Sequence, residues 1–280
     1  MENERGPRTI RLLTLNLRQG GRSRIEGVVR TVLGHRPDIA VLTEYRATPG
    51  PALGAQLAAG GLVHQASSEP ERPKNGVFVA ARLPFRVFPD ACHPFAKPAA
   101  LAQVRFAHFD LGAIYNGLWG EGNAAFAQWL EGVMLRNRRR SFILAGDLNW
   151  LEVGDGGNES PGWVEWLRDL GYSDAWRRLN PSGREYSWTN HNGTRTRVDY
   201  VFLSRRIAPY LTDARYDHDR QNGNVSDHDP LIVEMMPPAP SLMHRVLRRL
   251  GSRNQTVSTG LAHQTSNSFD GSVSGLARTL

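Results

Sequence analysis

The sequence predicts an α/β protein in which short apolar strands alternate with amphipathic helices. Two apolar runs, "DIAVLTE" (residues 38–44) and "SFILAG" (residues 141–146), have the length of buried strands. Between the first two predicted strands, apolar residues recur at intervals of three and four, as they do on one face of a helix. With 280 residues, of which 40% are hydrophobic, the chain is long enough to bury a sizeable core.

The chain opens with a strand, a helix and a second strand, which is half of an α/β layered unit. The alternation in "TIRLLTLNLR" (residues 9–18) predicts a strand that ends near Asn16. The run "DIAVLTE" predicts a second strand whose last residue is Glu44. The helix between them is closed by Gly34 and Pro37. Its apolar face consists of Ile25, Val28, Val29, Val32 and Leu33.

The middle of the chain predicts four strands and two helices. Three strands are expected at "GVFVAAR", "ALAQVRF" and "FDLGAIY", the last of which ends at Tyr115. A helix then leads to the buried strand "SFILAG", which stops at Asp147. The apolar face of that helix consists of Phe126, Trp129, Leu130, Val133 and Met134. Ser160 and Pro161 suit the N-cap and first turn of the next helix, which carries Trp163, Trp166, Leu167 and Leu170.

Three more strands are expected after Gly171. They are "REYSWT", "RTRVDYVFLS" and "PLIVEMM". In the second of these, Val198, Tyr200 and Phe202 alternate with other residues, which is the period of a strand.

The character of the sequence changes after "MMPPAP". We therefore expect an N-terminal extension at residues 1–8, a catalytic domain at residues 9–237 and a C-terminal tail at residues 238–280. The tail begins with "SLMHRVLRRL", which predicts a short basic amphipathic helix over residues 241–250. The remainder is rich in Ser, Thr, Asn and Gly and has little to bury, so we expect it to be flexible. Nucleic acid or a membrane surface is the expected contact of the tail.

The composition permits nucleic-acid binding but does not require it. The net charge is +7, and the tail from Pro238 contributes four of these charges, with five arginines against Asp270. Lys74 and Lys97 are the only lysines, so the basic charge is almost wholly arginine. No apolar stretch approaches the roughly 20 residues of a membrane span, and the charged N-terminus shows no secretory signal. A single cysteine, Cys92, forms no internal disulfide, so a cytoplasmic protein is expected. We also expect the protein to be monomeric.

Polar residues recur where the predicted strands end or, in one case, inside a strand. Each alone has an ordinary explanation as a turn residue or a satisfied core residue. One of them, Asp199, lies between Val198 and Tyr200, where a buried carboxylate needs a partner. Carboxylate and amide oxygens together suit Mg²⁺, with Mn²⁺ as a substitute. The set consists of Asn16, Glu44, Tyr115, Asp147, Asn149, Asp199, Asp227 and His228.

The ordered motifs "LTLNLR", "PDIAVLTE", "AIYNG", "ILAGDLN", "YSWTN", "TRVDYVFLS" and "VSDHDPL" resemble the endonuclease/exonuclease/phosphatase superfamily of metal-dependent phosphoesterases. The resemblance runs from about residue 9 to residue 236. It implies a four-layer α/β sandwich, in which two mostly antiparallel sheets pack face to face with helices outside. It also implies roles for individual residues.

For the metal, the resemblance implies that Glu44 holds the divalent cation, with Asn16 in its ligand and hydrogen-bond network and Asp227 assisting. Mg²⁺ is the expected ion, and the sequence leaves open whether one ion or two act. Asp229, which precedes a proline, is expected to be a turn residue, and Ser226 is expected to brace the loop that carries His228.

For the chemistry, the resemblance implies that Asp147 orients or deprotonates the attacking water and that Asn149 positions the water or the phosphate. His228 contacts the scissile phosphate, and Asp199 supports its orientation and charge. Tyr115 reaches a phosphate oxygen. A phosphodiesterase needs each of these functions, because it must activate water and neutralise charge on the phosphate oxygens.

Four residues bear on the choice of substrate. Tyr115, followed by Asn116, and the segments "YSWTN" and "TRVDYVFLS" resemble the exonuclease III and AP endonuclease branch. Asn116 is accordingly expected to contact substrate phosphate, Trp188 to support the cleft wall, and Arg197 to anchor the loop or a phosphate. A core tryptophan and a surface arginine explain the last two equally well.

DNA is thus the expected substrate, cleaved at abasic sites or 3′ ends. Lipid or small-molecule phosphoesters, as for sphingomyelinases or inositol phosphatases, are the alternative. Thr43 and Tyr45, and the short loops between motifs, depart from the DNA-repair branch and keep that alternative open. A binding module without activity is disfavoured, because no motif residue is missing.

Overall fold

The structure is a computed structural model that describes residues 8–88, 100–117, 121–152, 162–219 and 225–236. Within these residues the chain forms two six-stranded sheets, a two-stranded ribbon and five α-helices. The strands are β1 (Ile10–Asn16), β2 (Ile39–Tyr45), β3 (His64–Ser67), β4 (Gly76–Ala81), β5 (Arg86–Val87), β6 (Ala100–Arg105), β7 (Asp110–Tyr115), β8 (Phe142–Asp147), β9 (Tyr172–Asp174), β10 (Trp188–Thr189), β11 (Arg195–Thr196), β12 (Asp199–Ser204), β13 (Leu211–Tyr216) and β14 (Leu231–Met235). The helices are α1 (Ile25–Gly34), α2 (Gly50–Ala59), α3 (Glu121–Asn137), α4 (Trp163–Asp169) and α5 (Ala175–Leu179).

The first sheet has the order β13-β14-β1-β2-β4-β3, and only β1 and β2 in it are parallel. Alternation along β1 sends side chains to opposite faces of the sheet. Leu12 packs on the face toward the second sheet, whereas Leu13 and Leu15 pack toward the helices. Helices α1 and α2 cover that outer face with residues such as Val28 and Leu53.

The second sheet has the order β5-β6-β7-β8-β12-β9, and only β7 and β8 in it are parallel. Its outer face packs against α3 and α4 through residues that include Phe126, Leu130 and Leu167. Its inner face shares one core with the first sheet, in which Val41 and Val79 lie with Ala145 and Val201. The predicted α/β sandwich of two mostly antiparallel sheets with outer helices is therefore confirmed.

The strand register brings several polar residues to one edge of the second sheet. Tyr115 at the end of β7 pairs with Asp147 at the end of β8. Asp147 in turn pairs with Asp199 at the start of β12, which runs antiparallel. In the first sheet, the last residue of β1, Asn16, pairs with Thr43 of β2. The edges of both sheets therefore supply the side chains of one site.

The structure adds elements that the sequence patterns did not predict and divides one that they did. Helices α2 and α5 and strands β3, β5, β9 and β13 were not expected. The run "RTRVDYVFLS" forms two strands, β11 and β12, with Arg197 and Val198 between them. Helix α4 begins at Trp163 after Gly162, while Ser160 and Pro161 lie outside the described residues, as do the C-terminal tail and most of the N-terminal extension. No helix in the described part of the chain is long and apolar enough to span a bilayer.

Candidate active site

Asp147, Asp199 and His228 form a buried group where β8 and β12 pair. His228 Nδ1 lies 2.7 Å from Asp199 Oδ2. One candidate ligand atom of each residue lies within 4.8 Å of those of the other two. All three side chains are buried. The sequence indicated that a buried carboxylate at Asp199 needs a partner, and His228 is that partner.

The loop that carries His228 is braced by Ser226, as expected from the sequence. Ser226 Oγ donates to the carbonyl oxygen of Asn16 at 2.7 Å and accepts the His228 N–H at 3.1 Å. A second serine, Ser187, accepts the backbone N–H groups of Val198 and Asp199, both at 3.0 Å. Two serine hydroxyls thus fix the backbone on both sides of the Asp199–His228 pair.

Burial and neighbouring charges set the protonation of this group in opposite senses. Burial raises the pKa of Asp147 to about 8, with the nearby Asp199 carboxylate adding to the rise. Burial lowers the pKa of His228, but the charge and hydrogen bond of Asp199, aided by Asp147 and Asp227, outweigh it and raise that pKa to about 9. Near neutral pH in the metal-free protein, the imidazole is therefore protonated and Asp147 readily holds a proton.

Asn16 joins the carboxylates of the two sheets. Its Nδ2 donates to Asp147 Oδ2 at 2.8 Å and lies 3.3 Å from Glu44 Oε1. The other oxygen of Glu44 accepts the N–H of Gln19 at 2.6 Å. The backbone of Glu44 has φ 52°, a left-handed conformation that is uncommon for a non-glycine residue and often marks a functional site. Asn16 and Glu44, both expected in the metal network, therefore do lie together.

Asn149 is also left-handed, with φ 50°, and turns back onto Asp147. Its N–H donates to Asp147 Oδ1 at 2.9 Å, and its Nδ2 donates to the carbonyl oxygen of Asn116 at 2.7 Å. The expectation that Asn116 contacts phosphate is wrong, because this side chain is buried and donates to Asn123 Oδ1 and the Leu148 carbonyl. Asn116 instead holds the loop that presents Asn149.

Tyr115 lies at the rim of the group, with its hydroxyl accepting from Asn75 Nδ2 at 3.3 Å. Asn75 Oδ1 accepts from Arg46 Nε at 2.7 Å. Burial raises the pKa of the Tyr115 hydroxyl, and the negative charges of Glu44 and Asp147 raise it further. The phenol therefore stays protonated and is a hydrogen-bond donor for an anion.

Asp227 lies apart from the Asp147, Asp199 and His228 group, between an arginine and a tryptophan. Arg18 Nε is 3.8 Å from Asp227 Oδ1, and Trp188 Nε1 donates to Asp227 Oδ2 at 3.4 Å. The Trp188 ring centroid is 6.4 Å from that of His228. Trp188 is half-buried and lines a cavity, so it is not a fully buried core residue, and its expected role in the cleft wall stays a prediction.

Arg197 is neither a phosphate ligand nor a surface residue. Its side chain has no exposed surface and forms ion pairs with Asp174 and Glu152. The guanidinium also lies over the rings of Trp176 and Tyr200, at 5.2 Å and 4.6 Å from their centroids. A buried cation needs such partners, and they stabilise Arg197 in the interior. Its ion pair with Glu152 connects the start of β12 to the loop after β8.

Asp229 is more than the turn residue that was expected. It is buried, and its Oδ2 lies 2.9 Å from His218 Nδ1, while the other ring nitrogen of His218 lies 2.9 Å from Glu185 Oε1. The Asp229 N–H donates to the Ser187 carbonyl. Asp229 therefore anchors the loop of His228 to His218 and Ser187.

The donor set fits a divalent metal ion. The buried Oδ1 atoms of Asp199 and Asp227 have no hydrogen-bond partner among the described residues. Asp147 and Asp199 are two buried carboxylates side by side, and Glu44 presents a third that is only partly buried. Buried, incompletely paired carboxylates are costly unless a cation is near. Because His228 occupies one oxygen of Asp199, Glu44 and Asp147, linked by Asn16, form the better place for an ion.

Three contributors to the site were missed in the sequence. They are Asn75, which donates to Tyr115, Arg18, which lies beside Asp227, and Ser187, which holds the start of β12. Asn75 directly precedes β4 and Arg18 follows β1 by two residues, so both were visible as strand-flanking polar residues. Nothing in the local sequence distinguishes Ser187.

Comparisons with known proteins agree with this fold. A model of the Endonuclease/Exonuclease/phosphatase family matches residues 13–228, and no curated protein matches the chain. A 3′ phosphatase from Neisseria, solved with a product DNA hairpin, is 22% identical with a TM-score of 0.67 over 81% of this chain and 99% of its own. An AP endonuclease from Archaeoglobus fulgidus is 19% identical with a TM-score of 0.66 over 80% and 98%, respectively. An AP endonuclease from Leishmania major is 18% identical with a TM-score of 0.64 over 82% and 89%. At these identities the likeness shows a shared fold.

Proposed function

Because the chain belongs to the endonuclease/exonuclease/phosphatase family, we propose that it is a divalent-metal-dependent phosphoesterase that hydrolyses phosphodiester bonds in DNA. One observation carries the proposal. The side chains of Asp147, Asp199 and His228 are buried together, and Asn16 links Asp147 to Glu44. This arrangement combines a base, a cation and a metal-binding carboxylate in one place.

Asp147 serves as the group that orients water and accepts its proton. The amide of Asn16 and the N–H of Asn149 fix the carboxylate through hydrogen bonds to both of its oxygens. A base must be held in place to act on a water in line with the scissile bond. Without metal, burial raises the pKa of Asp147 to about 8, and a cation bound beside it would favour the ionised form that can accept a proton.

His228 serves as the cation that binds the phosphate. Asp199 accepts from its Nδ1, which leaves Nε2 as the ring nitrogen that can donate to a phosphate oxygen. Since Asp199 favours the imidazolium, the charge is in place before the substrate arrives and costs no reorganisation during the reaction. Tyr115, kept protonated by burial, is placed to donate to another phosphate oxygen.

The residues that would hold the metal are Glu44 and Asp147, with Asn16 orienting both carboxylates. A bound Mg²⁺ or Mn²⁺ would neutralise charge on the phosphate and on the leaving oxygen. The N–H of Gln19 fixes the second oxygen of Glu44, so that this carboxylate is oriented by the chain itself. Asp227 contacts Arg18 and Trp188 and does not join the pair formed by Glu44 and Asp147. With one such pair of carboxylates, the geometry favours a single ion.

DNA is the substrate class that the comparisons support best. The structural neighbours are described as a 3′ phosphatase with a product DNA hairpin and as AP endonucleases. Tyr115 and the half-buried Trp188 on the cleft wall agree with such a substrate, because an indole face can stack on a base.

A panel of substrates tests the proposal. Purified protein with Mg²⁺, Mn²⁺ or EDTA is assayed on abasic duplex, duplex with a 3′ phosphate, plain duplex, single-stranded DNA, RNA, sphingomyelin and inositol phosphates. We expect metal-dependent cleavage of DNA that Glu44→Ala, Asp147→Ala and His228→Ala each abolish. Hydrolysis of the lipid or inositol substrates alone would overturn the assignment to DNA, and activity that survives all three substitutions would overturn the site.

A further inference from the structure

Seven exposed arginines lie at the edge of the second sheet that is opposite the candidate active site. They occupy or adjoin β5, the end of β6, the start of β8 and the end of β12. We call this group the arginine edge. It consists of Arg86, Arg105, residues 138–140, Arg205 and Arg206.

The strand register places the members of the arginine edge along one line. Arg86 pairs with Arg105, and Arg105 pairs with Asp110 at the start of β7. Asp110 in turn pairs with Phe142 at the start of β8, beside which β12 ends. Since neighbouring strands lie about 4.8 Å apart, the four steps from β5 to β12 span roughly 19 Å.

Ser204, the last residue of β12, holds the two turns that supply most of these arginines. Its hydroxyl donates to the carbonyl oxygen of Arg140 at 2.7 Å and accepts the N–H of Phe142 at 3.0 Å. The N–H of Ile207 donates to the Ser204 carbonyl at 3.0 Å and closes the turn that contains residues 205–206. The backbone of both turns is therefore fixed by the fold, which lowers the cost of ordering them on binding.

One buried carboxylate lies within the arginine edge but does not neutralise it. Asp110 accepts from Arg105 Nε at 2.7 Å, and Arg140 Nη1 is 3.5 Å from its other oxygen. The side chains of these two arginines remain 46% and 56% exposed. The other five arginines form no ion pair with any residue that the structure describes.

The positive charge of residues 1–237 is concentrated at this edge. Asp110 and Asp169 are the acidic residues in the same described strand ends and turns, so the edge has a net charge of +5, seven minus two. Residues 1–237 carry +3, because the tail holds four of the seven net charges, and the remainder of them therefore sums to −2. Arg86 and Arg105 stand directly opposite each other, and like charges in such a pair destabilise a sheet. A polyanionic partner accounts for this cluster, whereas stability does not.

The chemistry of the arginine edge suits a row of phosphates. The planar guanidinium offers a fork of donors that matches two phosphate oxygens. Over roughly 19 Å a DNA duplex presents about 11 charges. A membrane-binding surface combines its basic residues with a broad apolar face. Within three residues of any member of the edge, Val87 and Leu135 are the only exposed large apolar side chains that the structure describes.

A duplex held at the candidate active site does not reach the arginine edge. Strand β8 runs from Phe142 at this edge to Asp147 at the site, five steps that cover roughly 17 Å through the sheet. Duplex DNA stays stiff over about 50 nm, so it does not fold back around the protein. The arginine edge therefore needs a different segment of nucleic acid.

We propose that the arginine edge binds a second segment of duplex DNA through its phosphates and without regard to base sequence. The proposal goes beyond the proposed function, because the segment bound here is not the segment that is cut. The edge holds the protein on long DNA while the candidate active site, at the other end of β8, contacts another segment.

The test measures binding and cleavage on separate DNA molecules with the full-length protein. Anisotropy of a labelled 30-mer plain duplex in EDTA reports binding. Cleavage with Mg²⁺ of a 12-mer duplex that carries an abasic site or a 3′ phosphate reports the active site. The variants are Arg206→Glu and the double substitution Arg138→Ala with Arg139→Ala. The control is Arg30→Glu on the exposed side of α1, since all three proteins lose the same two units of charge. Circular dichroism and thermal melting verify that each is folded.

We expect both edge variants to bind the 30-mer about tenfold or more weaker than wild type, and the control to stay within twofold. The slope of log affinity against log salt is expected to fall by roughly 0.9 for each phosphate contact that is lost. KM and kcat for the 12-mer are expected to stay within twofold of wild type. Affinity for the 30-mer equal to that of Arg30→Glu would overturn the proposal. A tenfold rise in KM for the 12-mer would overturn it too, because the edge would then serve the segment that is cut.

Vesicles of phosphatidylserine and phosphatidylcholine are the second probe. Loss of vesicle binding in the edge variants, with unchanged affinity for the 30-mer, would overturn the proposal in favour of a membrane surface.

The binding measurement keeps this test separate from that of the proposed function. If the wild-type protein cleaves no DNA, the phosphodiesterase activity fails. Loss of 30-mer affinity in both edge variants, but not in Arg30→Glu, would then still support the arginine edge. Equal 30-mer affinity in all four proteins would overturn it.

Discussion

Asp199 and His228, which are 29 residues apart in the chain, share a 2.7 Å contact between a carboxylate oxygen and Nδ1 in the interior of the protein. The pair draws its carboxylate from the first residue of β12 and its imidazole from the loop before β14. Burial alone would neutralise the ring, but the carboxylate raises the pKa of His228 to about 9. The imidazolium at the centre of the proposed mechanism therefore depends mainly on the charge and the hydrogen bond of Asp199.

Replacing Asp199 is expected to lower activity and move its pH dependence. In Asp199→Asn the ring loses its carboxylate, so burial then dominates and lowers the pKa of His228. We expect kcat/KM at neutral pH to fall by about 10² to 10⁴, as for other losses of acid or base catalysis. The falling limb of the pH–rate profile, which follows deprotonation of His228 in the wild type, is expected to move to lower pH. An unchanged limb would contradict the role of the pair.

The stability of the metal-free protein is expected to fall as pH rises. The folded pKa of His228, about 9, exceeds the ordinary 6.5, so its contribution is complete below pH 6.5 and lost as pH rises through about 9. That contribution is on the order of 3 kcal/mol. The folded pKa of Asp147 is also raised, to about 8 from 3.8. Between these pH values Asp147 is ionised in the unfolded state and protonated in the folded state, so the free energy of unfolding falls further as pH rises.

Thermal melting in EDTA between about pH 5 and pH 9 checks this trend. Added Mg²⁺ or Mn²⁺ is expected to raise Tm most at the alkaline end, where the ion offsets the charge of Asp147. The control is Asp147→Asn, whose Tm is expected to vary less with pH and to respond less to metal. A wild-type Tm that rises with pH in EDTA would contradict the protonation assigned to the site.

Asn75 is expected to act through Tyr115. Its amide donates to the Tyr115 hydroxyl and is itself held by Arg46. Asn75→Ala is expected to lower kcat by about tenfold by releasing the phenol. In a double-mutant cycle, Asn75→Ala is expected to add little to Tyr115→Phe, because the two residues act on one hydroxyl. Fully additive losses in kcat would show that Asn75 acts elsewhere.

Arg197 is expected to matter for stability and not for phosphate binding. Arg197→Met leaves Glu152 and Asp174 buried without this cation, which is expected to cost about 3 to 5 kcal/mol in urea unfolding. Arg168→Ala removes a partly exposed partner of the same Glu152 and is expected to cost at most about 1 kcal/mol. KM for DNA is expected to stay within twofold of wild type in Arg197→Met below its melting temperature. A tenfold rise in KM would restore a phosphate-binding role.

The sequence predicted the architecture, and it indicated eight polar residues because each lies at or near the end or start of a strand that local periodicity reveals. Asn16, Glu44 and Asp147 lie at the ends of apolar strands, and hydrogen bonds from Asn16 join the two carboxylates across the sheets. Asn75 is a residue of the same kind that the sequence patterns did not predict. It precedes β4, and since β4 runs antiparallel to β2, its start lies at the same edge as the end of β2.

Arg197 and Asn116 show a second limit, since local sequence does not report burial. An arginine near the start of a strand looks exposed, and only its contacts with Asp174 and Glu152, 23 and 45 residues away, place it in the interior. Asn116 follows Tyr115 and looked like a second phosphate contact, but its amide bonds Leu148 and Asn123. Long-range partners decide such roles, and periodicity carries no information about them.

The central claim is that Asp147, His228 and a metal bound at Glu44 hydrolyse DNA together. Its most direct test is single-turnover cleavage of a 5′-labelled duplex that carries either an abasic site or a 3′ phosphate, with Mg²⁺ and with EDTA. We expect the wild type to cut with Mg²⁺ only, and Asp147→Asn, His228→Gln and Glu44→Gln each to lose at least about 10² in rate while remaining folded. Cleavage that continues in EDTA, or in the folded Asp147→Asn variant at the wild-type rate, would contradict the account.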